Sequence, residues 1–177
     1  YKPAASGVRD GSWADVDALR EAIGDKFPDE RICPQRFQAP LAPPEAAGQE
    51  NREVDAGLLR SGALWWSDQV DVLLVEGVGG LLCPLTRTET VADLAAELGW
   101  PIVIVARNAL GTINHTLLTI DAARQRGLNI SGVVLNQPEP PDPLDRSLQT
   151  NAATIGQLGN VEILGHVAHG GRDLFPP

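Results

Sequence analysis

The sequence has no methionine, two cysteines among its 177 residues, and few aromatic side chains, which make up 5% of the chain. Positive charge is also scarce, because 14 Lys and Arg stand against 23 Asp and Glu and leave a formal net charge of −9. Such a chain lacks the cationic surface that neutralises many phosphates, so nucleic acid and anionic membranes are not expected partners. The absence of Met, with Tyr1 as first residue, predicts a fragment whose natural N-terminus lies upstream.

Long hydrophobic runs are missing as well. Residues 72–75 and 101–106 are among the longest, far short of the about 20 residues that cross a bilayer, so no membrane span is expected. Cys33 and Cys83 are widely separated and lack metal-ligand spacing, which indicates reduced, packed thiols and a cytoplasmic protein. A hydrophobic content of 43% and a charged content of 21% are typical of a globular chain, and the length predicts one domain over residues 1–177.

Short apolar segments alternate with helical segments from the middle of the chain onward. Residues 71–75 (DVLLV), 101–106 (PIVIVA) and 130–135 (ISGVVL) are apolar on both faces, which is typical of strands buried in a parallel sheet. They begin about 30 residues apart, the spacing of repeated βαβ units. The pattern therefore predicts an α/β fold with a doubly wound, mostly parallel sheet and helices on both faces.

Helices are predicted from apolar periodicity and from capping and stop signals. Thr90 with Asp93 has the pattern of a helix start, and Gly99 and Gly127 follow two of the predicted helix ends. The Pro-rich segment 34–44 is expected to be a loop or a short helix that begins at a proline. The predicted helices cover residues 15–23, 54–66, 90–98, 112–126 and 144–158, and a last strand is predicted at 161–164.

Residues that follow the strands are the candidates for chemistry, because ligands of open α/β sheets bind beyond the carboxyl ends of the strands. Glu76 follows the first apolar strand and is succeeded by the turn 77–80, which is rich in glycine. A carboxylate in this position is typical of a Mg²⁺ site beside nucleotide phosphates, and glycines allow close approach of the backbone. The alternative is a solvated acid at a strand end followed by a flexible turn.

The next two strand ends carry polar residues. Gly111 precedes a helix that opens with Thr112, and the free N–H groups of a helix start form an anion site. The alternative there is ordinary capping by Thr112 or Asn114, and His115 is expected to be a supporting or packed residue. Asn136 can read the edge of a heterocycle or serve as a turn asparagine.

Several segments together resemble one family. They are YKPAASG, VEGVGGLLCPL, the long stretch from ETVADLAAELGW through LGTINHTLLT, and SGVVLNQ, and in order and spacing they are similar to dethiobiotin synthetase of biotin biosynthesis. The resemblance implies a P-loop NTPase-like fold and an ATP- and Mg²⁺-dependent ligase. In that family CO₂ carboxylates 7,8-diaminononanoate to a carbamate, ATP phosphorylates the carbamate, and the second amine closes the ureido ring of dethiobiotin.

The resemblance also implies roles for the ionic residues. Lys2 corresponds to the catalytic lysine, which otherwise could be a solvated side chain, and Ser6 corresponds to a substrate contact. Glu76 and Asp17 correspond to residues that bind both the metal and ATP. Asp15 is the alternative to Asp17 because this region is poorly anchored by motifs.

The remaining family positions divide between ATP and the organic substrate. The positions implied to bind ATP are Gly77, Val78, Gly79 and Asn136, of which Asn136 reads adenine. The helix start implied to receive the substrate carboxylate from the other subunit of a homodimer consists of Thr112, Ile113 and Asn114.

Two departures from the family pattern stand out. No G-x-x-x-x-G-K-[ST] motif occurs in the chain, so the phosphate loop is expected upstream of Tyr1 and the domain is predicted to be incomplete at its N-terminus. Ala168 stands where the family usually has Pro, near the adenine. The alternatives are another P-loop ATP-dependent ligase and a catalytically silent dimerising or binding module that has lost the P-loop.

Overall fold

The computed structural model describes residues 1–24 and 26–176, and it divides the chain after Leu98 into two units. The first unit contains the parallel strands β1 (Ala4–Ser6) and β2 (Gln35–Phe37). Its helices are α1 (Ala14–Ala22), α2 (Asp29–Ile32), α3 (Pro43–Gln49), α4 (Ala56–Ser67) and α5 (Val91–Leu98).

Two apolar clusters stabilise the first unit. The larger cluster contains Phe37 from β2, Leu59 from α4 and Leu94 from α5, all of them buried. The smaller cluster places Val16 of α1 against Ile32 at the end of α2. Both clusters pack against β1, so the polar residues beside β1 lie over a rigid apolar base.

Tyr1 packs directly on α4. Its hydroxyl donates to the Leu58 carbonyl at 2.9 Å, and a Cβ at Gly62 would lie 2.2 Å from the Tyr1 hydroxyl oxygen. Gly62 is therefore the residue that lets the tyrosine ring lie on the helix.

The second unit, from Gly99 onward, is a three-stranded parallel sheet with two α-helices. Its elements in chain order are β3 (Ile102–Arg107), α6 (Thr112–Gln125), β4 (Ile130–Asn136), the 3₁₀ helix Arg146–Gln149, α7 (Asn151–Gly159) and β5 (Ile163–Val167). The strand order is β3-β4-β5, and the core of this unit is centred on Ile120 and Ile155 from the helices and Val133 from β4. Because the strands are parallel, their carboxyl ends meet at one edge, where Asn136 is aligned with Arg107 and Val167.

Most predicted elements are confirmed. The strands predicted at 101–106 and 130–135 correspond to β3 and β4, and the parallel sheets with their helices agree with the predicted P-loop NTPase-like α/β class. The helix predicted at 90–98 forms with its cap, since the Thr90 N–H donates to Asp93 Oδ2 at 2.7 Å. The prolines of segment 34–44 do start a helix, α3.

Other predictions were wrong. Residues 71–75 form no strand. Among the described residues, this segment and the following Glu76 share two backbone hydrogen bonds with Tyr1: the Tyr1 ammonium donates to the Leu74 carbonyl, and the Glu76 N–H donates to the Tyr1 carbonyl. Two such bonds do not make a ladder. Leu74 is 79% exposed there. The sequence missed β2, which lies within the Pro-rich segment. The helix predicted at 144–158 is divided into the 3₁₀ helix and α7. The predicted last strand does form, as β5, but it begins two residues later and ends three residues later than predicted.

No helix in the described residues is long and apolar enough to cross a membrane. Both cysteines are free thiols, as predicted; Cys33 is buried and Cys83 is partly exposed. Burial raises the pKa of the Cys33 thiol to about 11, which keeps it in the unreactive protonated form.

Candidate functional site

An ionic cluster surrounds the side chain of Lys2. Its ammonium lies 2.8 Å from Asp15 Oδ2 and 2.8 Å from Glu76 Oε1, and it donates to the Gly77 carbonyl at 3.2 Å. The lysine is only 3% exposed, whereas both carboxylate side chains are about half exposed. A buried cation is thus held between two acids that remain open to solvent.

The backbone fixes each member of this cluster. The Lys2 N–H donates to the Ile32 carbonyl at 2.9 Å, just before β1 begins. Glu76 is held by its own N–H, which donates to the Tyr1 carbonyl at 2.9 Å. Asp15 lies in the first turn of α1, where the positive end of the helix dipole favours a carboxylate.

The charge on Lys2 is secured by its partners. Burial by itself lowers the pKa of this ammonium, but the hydrogen bonds and charges of Asp15 and Glu76 outweigh burial, and the pKa of Lys2 is raised above its ordinary value. The lysine is therefore a permanent cation, and the three side chains together carry one negative charge.

The two carboxylates of the cluster have the chemistry of a magnesium site. Mg²⁺ is usually held by one or two carboxylates, and waters and substrate phosphates complete its octahedron. Asp15 and Glu76 converge on one point, which the Lys2 ammonium occupies. No group of three or more His, Cys, Asp or Glu residues with metal-binding geometry occurs in residues 1–24 and 26–176.

Asp17, the first choice for the second metal ligand, faces a different partner. Its carboxylate forms an ion pair with Arg20 one turn later in α1, and Arg20 also donates to Asp29 Oδ1 at 2.9 Å. The structure thus places Asp15, the alternative to Asp17, against Lys2 and Glu76.

The turn after Glu76 needs glycine for reasons of space and conformation. A Cβ at Gly77 would lie 2.8 Å from Val91 Cγ1, and Gly79 has a left-handed φ of 66°. Val78 between them is buried in the core cluster. Ser6 is half-buried at the end of β1, aligned with Phe37 of β2.

The helix start at α6 has no side-chain cap. Gly111 is the N-cap residue, with a left-handed φ of 93°, and the Thr112 side chain is buried, with its oxygen 3.3 Å from the Thr116 hydroxyl. Capping by Thr112 or Asn114, the alternative considered for this segment, does not occur. Three residues, Thr112, Ile113 and Asn114, therefore form a first turn whose N–H groups lack a side-chain acceptor from the N-cap.

Asn136 is the last residue of β4, and the segments that follow β4 and β5 are joined by polar contacts. The Gln137 N–H donates to the Val167 carbonyl at 2.9 Å, and His169 Nδ1 lies 3.1 Å from the Pro138 carbonyl oxygen. These bonds continue the pairing of β4 and β5 past their ends. His115, which the sequence predicted as a supporting or packed residue, is exposed.

The sequence-predicted residues are therefore distributed over both units. In the first unit Lys2, Glu76 and Gly77 come together, and Asp17 does not join them. In the second unit the α6 start and Asn136 follow neighbouring strands of one sheet edge. The sequence did not reveal the Gly77 carbonyl as the third contact of Lys2, because backbone acceptors carry no residue signature.

Comparison with known proteins gives a consistent result. The family model described as an AAA domain matches residues 1–170. The ATP-dependent dethiobiotin synthetase BioD of Anaeromyxobacter dehalogenans (strain 2CP-C) is 50% identical over 163 residues, which are 92% of this chain and 72% of that protein. The protein of the same name from Rhodopirellula baltica is 36% identical over 182 residues, 94% of this chain and 70% of its own length. With this identity and coverage, the chain belongs to the dethiobiotin synthetase family.

Proposed function

We propose that this protein is an ATP-dependent cyclo-ligase that makes dethiobiotin from 7,8-diaminononanoate and CO₂ in biotin biosynthesis. Membership of the dethiobiotin synthetase family supports this proposal. The observation that carries it is the buried Lys2 ammonium between Asp15 and Glu76, since this arrangement suits a reaction in which negative charge accumulates on a carbamate and a phosphoryl group.

The proposed reaction has three steps. One amine of the substrate adds to CO₂ and loses a proton, which gives a carbamate. A carbamate oxygen then attacks the γ-phosphorus of ATP, and ADP leaves, which gives a carbamic–phosphoric anhydride. The second amine attacks the carbonyl carbon, loses a proton and releases phosphate, which closes the ureido ring.

Lys2 stabilises the negative charges that develop in these steps. Its three N–H donors contact Asp15, Glu76 and Gly77, and exchange of these partners for a carbamate or phosphate oxygen keeps the ammonium hydrogen-bonded. In phosphoryl transfer the protein acts mainly by positioning and by electrostatic stabilisation, for which a fixed cation is suited. Lys2 is therefore the proposed catalytic residue.

Asp15 and Glu76 are the residues that would hold Mg²⁺. When bound, this ion supplies positive charge to the phosphates of ATP. Asp17 remains the alternative to Asp15, at the cost of its ion pair with Arg20. Gly77, Val78 and Gly79 offer backbone beside the phosphates, and Ser6 offers a hydroxyl to the substrate.

Residues of the second unit are proposed to contact the adenine of ATP and the carboxylate of the organic substrate. Asn136 presents an amide, which donates and accepts as the edge of adenine requires. The substrate carboxylate is proposed to bind the uncapped start of α6 at Thr112, Ile113 and Asn114, contributed by the other subunit of a homodimer. The protein is proposed to act in the cytoplasm, on small molecules and without nucleic acid or membrane partners.

The proposal is tested by incorporation of labelled bicarbonate into dethiobiotin by the full-length protein, with and without ATP. We expect ATP-dependent product, and a loss of turnover of about 100-fold or more in Lys2→Met, because one preorganised charge contact contributes about that much. Lys26 is the only other lysine of the chain, and it is exposed, so Lys26→Met is the matched control and should retain activity. A wild-type protein that forms no dethiobiotin, or a fully active Lys2→Met variant, would refute the proposal.

A further inference from the structure

The loop that joins β3 to α6, residues 108–111, is fastened by two side chains from the segment 145–151. Asp145 Oδ2 accepts a hydrogen bond from the Leu110 N–H at 3.0 Å. Asn151 Nδ2 donates to Asn108 Oδ1 at 2.8 Å. Asp145 Oδ1 also accepts from the Ser147 N–H at 2.9 Å, so one carboxylate connects the 3₁₀ helix to the loop.

Asn151 is an unusual residue in its surroundings. It is 1% exposed, and its Nδ2 lies within 3.4 Å of both the Ala109 carbonyl and the Ser147 hydroxyl, in addition to its bond with Asn108. Its Oδ1 is buried and has no hydrogen-bond partner. An unpaired buried acceptor costs stability, and an apolar side chain would avoid that cost. The amide thus adds a hydrogen-bond donor at this position, its Nδ2 group, and this donor contacts Asn108 and Ala109 of the loop.

The start of α6 is exposed at Gly111 and Asn114. Gly111 turns the backbone through a left-handed conformation, and no side chain caps α6. The Thr112 N–H donates back to the Ala109 carbonyl at 3.1 Å, so Ala109 connects the part of the loop that Asn151 holds to the first residue of the helix. The loop is thus fixed by the segment 145–151, and the helix start that follows it is left uncapped.

We infer that Asn151 is a positioning residue that, with Asp145, fixes the β3–α6 loop so that the N–H groups of Ile113 and Asn114, which follow the bonded Thr112 N–H, are held ready for the substrate carboxylate. The inference rests on the proposed function, in which this helix start receives that carboxylate. Asn151 acts through Asn108 and Ala109 and does not itself contact the substrate. If Asn151 served stability alone, its removal would weaken folding without changing recognition of the carboxylate.

The test compares two ligands by calorimetry on the full-length protein. One is 7,8-diaminononanoate and the other is its methyl ester, which has the same chain but no negative charge at that end. We expect the wild-type protein to bind the acid about two- to thirtyfold more tightly than the ester, the range for an anion at a helix N-terminus. In Asn151→Ala this ratio should fall towards one, and the affinity for the ester should remain unchanged.

A matched variant separates positioning from stability. Asn160 ends α7 at its far side, is exposed and has a left-handed φ of 43°, so Asn160→Ala strains the same helix without touching the loop. It should lower the melting temperature and keep the acid-to-ester ratio. Asn151→Leu, which keeps a branched side chain of similar size, adds no charge and removes the donor, provides a second variant if Asn151→Ala does not fold, and its acid-to-ester ratio should fall as well.

The outcomes distinguish the inference from the proposed function. If the wild-type ratio is large and both Asn151 variants retain it, the inference is overturned and the proposed carboxylate site stands. If the wild-type protein binds acid and ester equally, α6 does not bind the carboxylate, and both the inference and that part of the proposed function are overturned. The dethiobiotin assay, which does not depend on this ratio, still decides the reaction.

Discussion

The Lys2 cluster and the carboxyl edge of the second sheet offer ligands two different kinds of chemistry. The cluster consists of full charges, one buried ammonium between two carboxylates. The sheet edge offers neutral groups: the amide of Asn136 and the uncapped N–H groups of α6. Fixed charges suit the stabilisation of charge that develops during reaction, whereas amides suit recognition of a ligand by shape and hydrogen-bond pattern. We therefore expect changes in the cluster to affect rate and changes at the sheet edge to affect affinity.

The largest effect is expected from Glu76→Gln. This change removes a charge and keeps the size, so turnover should fall by about 100- to 1,000-fold and the requirement for magnesium should change. The melting temperature should also fall, because the buried Lys2 ammonium loses one of its two charged partners. Steady-state kinetics over a magnesium titration provide the measurement. Glu53→Gln at an exposed site is the control. Full activity in Glu76→Gln would show that this acid is only a solvated strand-end residue.

Mixing of two inactive variants tests whether the two regions act on one site across a homodimer. Lys2→Ala removes the cation of the Lys2 cluster, and Thr112→Trp blocks the start of α6 at the edge of the second sheet. Random mixing of subunits should restore roughly one quarter of wild-type turnover, because each heterodimer regains one intact site of two. The assay is dethiobiotin formation after joint refolding. Heterodimers that form and remain inactive would argue against a shared site.

A third prediction concerns the backbone of Gly77 in the Lys2 cluster. Gly77→Ala brings a methyl group 2.8 Å from Val91 Cγ1, and it should lower the free energy of unfolding by about 1–3 kcal/mol. Denaturant titration measures this loss. Gly80→Ala has no atom within 4 Å of the added carbon and is the matched control. The double variant Gly77→Ala with Val91→Ala should relieve the clash; if it does not, the contact with Val91 is not the cause.

Removal of Lys2 should strengthen binding of a divalent cation. The ammonium occupies the point on which Asp15 and Glu76 converge, so Lys2→Met leaves two unpaired carboxylates there. We expect an affinity for Mn²⁺ about tenfold above that of the wild type, since one like charge is removed from the site. Electron paramagnetic resonance of free Mn²⁺ reports the binding, with Lys26→Met as control. Equal affinity in both variants would place the metal elsewhere.

The smallest effect is expected at Asn136. Asn136→Ala removes one or two hydrogen bonds to the base, each with a net contribution of about 0.5–1.5 kcal/mol, so KM for ATP should rise about two- to tenfold at nearly constant kcat. The preference for ATP over GTP should shrink in parallel. If kcat falls by 100-fold instead, the edge of the second sheet contributes to rate, and the assignment of rate to the cluster and affinity to the edge is wrong.

The second unit could be predicted from sequence because its signals are local. Apolar runs of five or six residues, with glycines after two predicted helices, indicated β3, β4 and α6 to within one or two residues. Residues 71–75 have the same pattern, but a strand also requires a partner strand, and within the described part of the chain this segment has one backbone hydrogen bond with Tyr1 and no partner strand. Strand β2 was not predicted, because its three residues lie in the Pro-rich segment that was interpreted as a loop or a short helix.

The positions of Asp15 and Asp17 show what the sequence leaves open in the candidate site. The two residues lie two positions apart in α1, so they point to different sides of the helix. Spacing alone does not say which side meets Lys2, since that depends on how α1 packs through Val16 on Ile32. Asn151 is a similar case, because its contacts with Asn108 and Ala109 bridge more than forty residues of sequence.

The contact between Gly62 and Tyr1 has a consequence for the interpretation of sequence variants. A Cβ at position 62 would lie too close to the phenol oxygen, so the tyrosine ring must shift to admit any side chain there. In a saturation mutagenesis screen we therefore expect position 62 to tolerate few substitutions, although it has no side chain and lies in the middle of a helix. A score that weighs only distance from the Lys2 ammonium would misclassify this position as neutral.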